Sequence, residues 1–548
     1  MTYSNFLFEL SWEVCNKVGG IHTVISSKSR EIMKKFQNYY FIGPYFESSL
    51  KAFEEKEVPK KYEEKYSKLL EMGIKIHFGN WKIDTNPNTI LIEYLGYSSN
   101  INEVKKTLWD NFKIDSIRSQ WYDFDEAILW SWVSGIVIKI LSEDSNESVI
   151  IHAHEWMSGG AIFYVKSIEN IIEKKKFRTV FTTHATMLGR ALSGTGNNLY
   201  EIVDKINADE KAYEIGVETK HQSERALAHI SECFTTVSDI TNNEAKYFYS
   251  KEADKILYNG FDNFNIKNID ELNIDFEKSR KDINEFLEAY FHSFYDLNLD
   301  ETQVFYTSGR NEFRNKGVDI YIKALGKLNK KFKEENSSKN IINLFLIPIG
   351  NFNEDTMIRK SIEDYNAGKK GERIHKIAPF STNEIPSENE IISSFIKEDL
   401  LNRKEDKIKV IVVPLYLDGD DTFFKKKYYK IIEGLDLGIF PSYYEPWGYT
   451  PMESISYAVP TITSDFAGFG KYIKKNIKEQ NGVLILEREG KNFEESSEIL
   501  YQQLLKFSKM NKKELLNQRI EAKNLSTIFD WKKFAQNYFE AYDKILKE

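Results

Sequence analysis

Short apolar segments alternate along the chain with segments whose apolar residues recur at helical spacing. NFLFEL precedes the helix-like TVISSKSREIMKKF, SVIIHA precedes GGAIFYVKSIENII, and RTVFTT and ECFTTV are further strand-like runs. After about residue 262 the rhythm restarts with TQVFYTSG, INLFLIPI, KVIVVPLYL, LGIF, PTITS and GVLILER. This alternation is typical of parallel sheets with helices on both faces, and the strands are too many for one sheet of usual size. We therefore predict an α/β protein with two doubly wound domains.

Three segments depart from this alternation. Residues 268–300 predict a long amphipathic helix between the domains, and the polar, charged residues 351–405 predict an insertion or a mobile flap. The last segment repeats aromatic residues at helical spacing, which predicts a terminal helix with a core-facing stripe: Trp531, Phe534, Tyr538 and Tyr542.

Composition and charge narrow the class of protein. The 548 residues allow two or more domains, and no apolar run approaches the roughly 18 residues of a membrane span. The first residues lack the basic region of a secretory signal, and the two cysteines, Cys15 and Cys233, fit a reducing compartment. A net charge of −8 disfavours nucleic acid as the main partner. We therefore expect a cytoplasmic protein without a membrane or nucleic-acid partner.

The stretch PSYYEPWGYTPMES, residues 441–454, follows the strand-like LDLGIF. Pro446 stiffens the turn, and we predict Thr450 as the cap of the next helix, in a capping box with Glu453. A loop between strand and helix lies at the carboxyl edge of a parallel sheet, where ligands bind. The helix start also offers backbone N–H groups to an anion.

The segment TSGRNEFRNKG, residues 307–317, also follows a strand and opens a helix. Arg310 has a planar fork that grips phosphate at two points, and Lys316 is a mobile point charge. Such cations stabilise the negative charge that develops on a departing diphosphate. A solvated basic loop is the alternative explanation of this segment.

Two other loops follow strands and carry polar or flexible residues. In EVCNKVGGIHTV, Gly19 and Gly20 allow the backbone to approach a ligand closely, and Lys17 adds a cation. A tight turn would explain the glycines equally well. In TTHATMLGR, His184 and Arg190 lie past another strand, at a sheet edge that favours a functional role.

Two motifs raise the question of a metal site. HAHEWMSGG places His152 and His154 two residues apart, and we expect their imidazoles to point to opposite sides of the strand. Because no cysteine or third histidine is near in sequence, we predict no zinc site there. Asp418 and Asp420 in LDGDD form a D-x-D pair, which we interpret as an acidic turn.

Several motifs together resemble one family. FELSWEVCNKVGGIHTV, IGPYFE, HEWMSGGA, FTTHATMLGR, FTTVSDIT, GRNEFRNKG and PSYYEPWGYTPMES...DFAGFG resemble the non-plant, UDP-glucose-using glycogen synthases of glycosyltransferase family 3, in the right order and over nearly the whole chain. The resemblance implies the GT-B fold, with two Rossmann-like domains facing across a cleft. On this basis we expect an N-terminal domain over 1–262, a nucleotide-sugar domain over 263–524, and a terminal helix over 525–548 that crosses back to the first domain.

The resemblance also implies an activity. It implies retaining transfer of glucose from UDP-glucose to the terminal 4-hydroxyl of glycogen or another α-1,4-glucan, without a metal or a cofactor. Glu445 matches the family's essential carboxylate at the donor glucose, which we do not expect to be a covalent nucleophile. Arg310 and Lys316 match the cations that hold the diphosphate. By analogy we expect a homo-oligomer, either a tetramer or a dimer.

Further residues match the family's binding site for the donor. Tyr428 falls where the family stacks an aromatic ring on uracil, and Glu453 is expected near the ribose. Other matching residues are expected around the sugar and phosphates: Lys17, Gly19, Gly20, His154, His184, Arg190, Trp447, Gly448, Tyr449 and Thr450.

One departure from the family concerns regulation. Animal and fungal members carry an arginine-rich helix that binds glucose 6-phosphate, but here the matching segment reads NKKELLNQRIEAKNLS. It keeps only four basic residues, which are Lys512, Lys513, Arg519 and Lys523. We therefore predict an enzyme that is active without glucose 6-phosphate and is not controlled by phosphorylation.

Alternatives to this function stay open. A related glucosyltransferase would use ADP-glucose or another acceptor, and a sugar-nucleotide epimerase of the same fold would need no polymer. A catalytically inactive glucan-binding protein is an alternative of a different class. Such a protein would usually have lost a cation or the carboxylate, whereas Arg310, Lys316 and Glu445 are all present.

Overall fold

The computed structural model describes residues 3–169, 176–195, 199–262, 266–369, 373, 377–386, 388–478 and 481–547. The chain divides into two compact units. Unit 1 comprises Met1–Asp262 and Phe529–Glu548, and unit 2 comprises Asn263–Ile528. Parts of the predicted insertion, residues 370–372, 374–376 and 387, lie outside the described residues.

Unit 1 is built on a twisted sheet. Its described strands are β1 Tyr3–Leu10, β2 Phe36–Pro44, β3 Phe53–Lys56, β4 Lys75–Trp81, β5 Asn88–Glu93, β6 Val149–His154, β7 Phe177–Thr183, β8 Cys233–Thr236 and β9 Lys255–Ile256. They lie in the order β3-β4-β5-β2-β1-β6-β7-β8-β9. β4 is antiparallel to both of its neighbours, and the other pairs are parallel.

Helices flank this sheet. They are α1 Gly20–Met33, α2 Glu63–Glu71, α3 Ile101–Phe112, α4 Glu126–Leu141, α5 Gly160–Ser167, α6 Met187–Gly194, α7 Leu199–Ile202, α8 Ala208–Glu214, α9 Glu218–Ile230 and α10 Asp239–Phe248. The terminal helix, α20 Trp531–Lys547, also belongs to unit 1. Its predicted stripe is confirmed, because all four aromatic residues are buried.

Unit 2 contains a parallel sheet. Its described strands are β10 Thr302–Ser308, β11 Asn340–Leu346, β12 Ile408–Val413, β13 Leu437–Phe440, β14 Thr461–Ser464 and β15 Val483–Leu486, in the order β12-β11-β10-β13-β14-β15. Its helices are α11 Ile269–Phe291, α12 Val318–Glu334, α13 Thr356–Asn366, α14 Glu390–Lys397, α15 Tyr428–Ile432, α16 Tyr449–Ser456, α17 Gly468–Asn476, α18 Phe493–Ser508 and α19 Lys512–Ser526.

Alternation along β11 shows why this sheet needs helices on both faces. Ile341 and Phe345 pack in one core cluster with apolar residues of α12 and α18. Ile342 and Leu344 point the other way, into a cluster that includes apolar residues of α11. Successive side chains of a strand face opposite ways, so both faces must be covered. The prediction of doubly wound α/β domains is confirmed.

The strand orders locate the candidate sites. Strand order reverses between β1 and β6 in unit 1, and between β10 and β13 in unit 2. Ligands of doubly wound folds bind at the carboxyl ends of the strands beside such a reversal. Three of the loops that follow these strands carry Lys17, Arg310 and Glu445, and His154 is the last residue of β6. Among the described residues, no helix is both long enough and apolar enough to cross a membrane.

Candidate active site

The loop after β13 carries Glu445 and leads into α16. Gly448 has φ 103° and caps the N-terminus of α16, with no side chain in the capping position. The prediction that Thr450 caps this helix in a capping box with Glu453 is wrong. The left-handed backbone at Gly448, which glycine adopts at little cost, already starts the helix at Tyr449. Glu453 instead accepts a hydrogen bond from the Tyr429 hydroxyl at 3.1 Å.

Trp447 anchors this turn rather than facing solvent. Its ring is buried and packs edge-on against Phe469, with ring centroids 6.1 Å apart. Its carbonyl oxygen accepts a hydrogen bond from the Phe469 N–H at 2.7 Å, and the Glu445 carbonyl accepts one from Gly468 at 2.9 Å. The first turn of a helix has no intrahelical acceptors for its N–H groups. A fixed helix start of this kind suits an anionic group.

The loop between β10 and α12 packs against the loop after β13. Gly317 has φ 68°, and a Cβ there would lie 2.1 Å from the Pro441 carbonyl oxygen. The N–H of Tyr443 donates to the Asn315 carbonyl at 2.9 Å. With the loops held this way, the Lys316 ammonium is hydrogen-bonded and ion-paired to the Glu445 carboxylate. The structure therefore joins a predicted cation to the predicted carboxylate.

Arg310 lies in the same loop as Lys316 and is more than half exposed. Its guanidinium forms an ion pair with Glu312 at 2.8 Å. Exposed ion pairs contribute only about 0–1 kcal/mol, so a bound phosphate can replace Glu312 at little cost. The arrangement leaves Arg310 able to turn towards an anionic ligand.

Arg488 is a buried cation that the sequence reasoning missed. It follows β15, and its Nη1 donates to the Pro441 carbonyl at 3.0 Å. The guanidinium also stacks on the ring of Tyr443, 3.6 Å from the centroid. Arg488 therefore fixes the start of the loop that carries Glu445. Its place just past the end of a parallel strand is the signal that could have found it.

Tyr428 and Tyr429 begin α15. The Tyr428 hydroxyl lies 2.8 Å from Ser308 Oγ, at the end of β10. Tyr429 is partly exposed and stacks on Tyr457, with centroids 4.9 Å apart. Together with Glu453, these rings form an aromatic and acidic patch beside the helix start of α16. Stacking of Tyr428 on a base stays a prediction.

In unit 1, the glycine pair lies at the start of α1. Gly19 is the cap residue, and its N–H and that of His22 both donate to Glu13 Oε2, at 2.7 and 3.0 Å. A Cβ on Gly19 would lie 3.2 Å from Glu13 Oε1, so the glycine makes room for this carboxylate. Sequence reasoning missed Glu13. Lys17 is exposed in the same loop.

The expectation that His152 and His154 point to opposite sides is wrong. Residues two apart on a strand share a face, and the two rings stack with centroids 4.3 Å apart. His154 Nε2 lies 2.6 Å from Glu9 Oε1, and its Nδ1 lies 2.8 Å from His184 Nε2. His154 and His184, predicted from separate motifs, are therefore in contact.

The cluster of Glu9, His152 and His154 resembles a metal site in spacing alone. Their potential ligand atoms lie within 4.8 Å of one another. However, the Lys28 ammonium is bonded to Glu9, and both nitrogens of His152 are engaged by Tyr542 and Thr182. Because Lys28 already binds Glu9 and both nitrogens of His152 already form hydrogen bonds, these residues are a poor match for a metal ion. The D-x-D segment forms a turn, with Asp420 N–H donating to Asp418 Oδ1 at 3.0 Å.

The loop that carries His184 is held by a strained glutamate. Glu155 has φ 65° and ψ 162°, a region that is essentially limited to glycine. Its Oε1 accepts hydrogen bonds from the N–H groups of His184 and Ala185, at 2.8 and 3.0 Å. Strain of this kind clusters at functional sites. Arg190 is the fourth residue of α6, the helix that follows, and it is exposed.

Burial raises the pKa of Glu155 from 4.5 to about 7, with the nearby Arg190 opposing the rise. Because the folded-state pKa is the higher one, its stabilising effect is complete below about pH 4.5 and is lost as pH rises through about 7. We expect the free energy of unfolding to fall between about pH 5 and pH 8, and to fall less in Glu155→Gln. Urea unfolding across this range measures both slopes, and equal slopes would contradict the assignment.

Comparison with known proteins agrees with the resemblance. The family model for glycogen synthase matches residues 9–367 and 370–548. Human liver glycogen [starch] synthase is 30% identical over 98% of this chain and 82% of that protein. Glycogen [starch] synthase isoform 1 of Saccharomyces cerevisiae is 30% identical over 98% of this chain and 85% of its own length.

Solved structures share the fold at low sequence identity. The catalytic domain of starch synthase IV from Arabidopsis thaliana, bound to ADP and acarbose, aligns over 100% of both chains with a TM-score of 0.57 and 14% identity. A trehalose-6-phosphate protein from E. coli, bound with UDP-2-fluoro glucose, aligns over 98% of both chains with a TM-score of 0.52 and 12% identity. The fold is GT-B. The chain belongs to the glycogen synthase family and is a glycosyltransferase.

Proposed function

We propose that the protein transfers glucose from UDP-glucose to the terminal 4-hydroxyl of an α-1,4-glucan such as glycogen, with retention of configuration at C1. Membership of the family supports a glucan acceptor, and the uridine donor is proposed from the resemblance of the motifs to those of UDP-glucose-using members. The observation that carries the proposal is the contact between Lys316 and Glu445, in a site whose Lys316 loop also carries Arg310. The buried thiols of Cys15 and Cys233 form no disulfide, which suits the cytoplasm.

The residues of unit 2 divide the chemistry between them. As the bond from C1 to the phosphate oxygen breaks, negative charge grows on the diphosphate, where Arg310 and Lys316 stabilise it. The acceptor oxygen bonds to C1 on the same face, and its proton passes to the departing phosphate oxygen. Glu445 orients the sugar and stabilises the positive charge that builds on it. These side chains supply the positive charge themselves, so the proposed step needs no metal.

Residues of unit 1 are also given roles in binding a nucleotide sugar. The family resemblance assigns His184 and Arg190 to its glucose and phosphate groups. Lys17 adds a cation in an exposed loop. His154 has both ring nitrogens engaged within the protein, so we propose that it acts through His184.

Incorporation of labelled glucose into glycogen tests the proposal directly. UDP-glucose and ADP-glucose are compared side by side at equal concentration, with and without a chelator. We expect transfer from UDP-glucose that the chelator does not reduce. Faster transfer from ADP-glucose would favour a related glucosyltransferase. No transfer by folded protein that still binds glycogen would favour an inactive glucan-binding protein.

We also propose that glucose 6-phosphate does not activate the enzyme. On α19, Arg519 is buried with its guanidinium 4.0 Å from the ring centroid of Phe276, and Lys523 donates to the Ser456 carbonyl at 3.0 Å. The Lys523 ammonium is therefore engaged within the protein, and the Arg519 guanidinium is shielded from solvent, although its nitrogens have no hydrogen-bond partner among the described residues. We expect millimolar glucose 6-phosphate to change the rate less than about twofold, beyond the effect of equal inorganic phosphate. A manyfold rise would refute this.

A further inference from the structure

A chain of hydrogen bonds runs through the core of unit 1 to His184. Glu9 lies on β1 and is fully buried. Its Oε1 lies 2.6 Å from His154 Nε2, and His154 Nδ1 lies 2.8 Å from His184 Nε2. His184 Nδ1 is the remaining ring nitrogen at the end of this chain. The direction of each bond depends on which nitrogens carry hydrogen, and that follows from the charge state of Glu9.

Glu9 is an ionised carboxylate in this core. The Lys28 ammonium and the Tyr39 hydroxyl both donate to it. Burial would raise the pKa of Glu9, but Lys28 and His154 outweigh burial and hold the pKa well below its ordinary value. Burial lowers the pKa of both His154 and His184, so both rings are neutral at neutral pH. A carboxylate only accepts hydrogen bonds, whereas a neutral imidazole has one N–H donor and one acceptor.

These charge states fix the direction of the whole chain. His154 must donate to Glu9 through Nε2–H, which leaves its Nδ1 without hydrogen. That Nδ1 must accept from His184, so His184 carries its hydrogen on Nε2. Nδ1 of His184 is then a lone-pair acceptor. Such an atom accepts a hydrogen bond from a hydroxyl group, and it cannot bond to a group that is itself only an acceptor.

His152, which stacks on His154, has its hydrogens fixed independently of Glu9. Thr235 donates to the Phe181 carbonyl, so Thr182 must be the donor in its 2.6 Å contact with Thr235. Thr182 Oγ1 therefore accepts from His152 Nε2–H, and His152 Nδ1 accepts from the Tyr542 hydroxyl at 2.8 Å. His152 gives an internal control for any change directed at Glu9.

We propose that Glu9 is a positioning residue which, acting through His154, fixes His184 in the Nε2–H form so that its Nδ1 accepts a hydrogen bond from a hydroxyl of the donor glucose. The role of Glu9 in fixing the tautomers stands on the geometry of unit 1. The identity of the hydroxyl rests on the proposed function.

Nitrogen NMR of the full-length protein with labelled histidine measures the tautomers directly. The chain has 9 histidines, and single variants His154→Gln and His184→Asn assign the two sets of signals. We expect both rings to be neutral at pH 7, with hydrogen on Nε2 and a bare Nδ1. Hydrogen on Nδ1 of either ring, or a charged ring, overturns the proposal.

A paired substitution tests whether Glu9 is the cause. Glu9→Leu with Lys28→Met removes the carboxylate together with its buried cation, an exchange that proteins often tolerate. We expect mixed tautomers at His154 and His184, an unchanged His152, and a fall of about tenfold in kcat/KM for glucosyl transfer. If the variant folds and His184 keeps a single Nε2–H form, the proposal is overturned. If it does not fold, the wild-type spectrum alone decides.

Tyr542→Phe is the matched control. It also removes one hydrogen bond to a histidine in this core, but from His152 rather than from the chain that starts at Glu9. We expect unchanged tautomers at His154 and His184, and kcat/KM within about twofold of wild type. A control that shifts the His184 tautomer would overturn the assignment to Glu9. Correct tautomers in a protein that transfers no glucose would instead refute the proposed function.

Discussion

Replacing Glu445 with Gln is expected to slow glucosyl transfer at least hundredfold, equivalent to about 2.7 kcal/mol of transition-state stabilisation. Gln keeps the size of the side chain and much of its hydrogen bonding. It removes the negative charge that pairs with Lys316 and that we assign to the positive charge on the reacting sugar. The loss is expected in kcat, because that charge develops only as the bond to phosphate breaks. Steady-state assay with labelled UDP-glucose measures it.

A second carboxylate of unit 2 provides the control for this substitution. Glu398 pairs with Lys323, a residue of α12, at 3.3 Å. Glu398→Gln removes one member of a comparable lysine–glutamate pair away from the loop that carries Glu445. We expect its activity to stay within about twofold of wild type. A Glu445→Gln enzyme that retains more than a tenth of wild-type kcat would contradict the role given to Glu445.

Replacing Lys316 with Met is expected to lower kcat about hundredfold, through loss of a cation rather than of a carboxylate. The substitution removes a cation from the departing diphosphate and leaves Glu445, which is mostly buried, without its ion-pair partner. Binding of UDP separates the two variants. Lys316→Met should weaken UDP binding about tenfold, as expected for a lost charge-assisted contact, whereas Glu445→Gln should leave it nearly unchanged. Calorimetric titration with UDP measures both.

Lys323→Met is the control for Lys316→Met. Lys323 lies on α12, the helix that follows Lys316, and it forms an ion pair with Glu398. Its UDP affinity and kcat should stay close to wild type. If Lys316→Met bound UDP as tightly as wild type, the ammonium would not touch the diphosphate. The division of labour between Lys316 and Glu445 would then be wrong.

The sequence predicted the described strands of unit 2, and β1, β6, β7 and β8 of unit 1, because most of their residues are apolar and buried. Strands such as β6 and β12 are short segments in which apolar residues predominate and every residue is buried. In unit 1 it missed β2, β3, β4, β5 and β9, among them the antiparallel edge of the sheet. The segment FEEK buries only its first residue and shows no apolar run. The pairing of such a strand depends on partners that are remote in the chain.

Within the candidate site, a strand-end motif pointed to Arg310 and Lys316, and the family resemblance pointed to Glu445. The ion pair between Lys316 and Glu445 was not foreseen, because it depends on how two distant loops pack through Gly317. Glu9 was missed for a related reason. It lies within a strand that otherwise looks apolar, and only the fold brings His154 to it.

The prediction that His152 and His154 point to opposite sides failed for a different reason. Side chains on a strand repeat every two residues, so their shared face could have been predicted directly from the sequence. The helix start at Gly448 could not be predicted from the sequence. Thr450 and Glu453 have the right spacing for a capping box, but the backbone turns at the glycine first. The spacing of Thr450 and Glu453 favours one start for this helix, but the packing of the loop sets another.

A crystal structure with bound UDP tests the central claim most directly. The claim is that Arg310 and Lys316 of unit 2 hold the diphosphate and stabilise it as it departs. We expect the diphosphate oxygens within hydrogen-bond distance of the Arg310 guanidinium and the Lys316 ammonium, with Arg310 turned away from Glu312. A diphosphate bound elsewhere, with both cations still paired to their glutamates, would contradict the account.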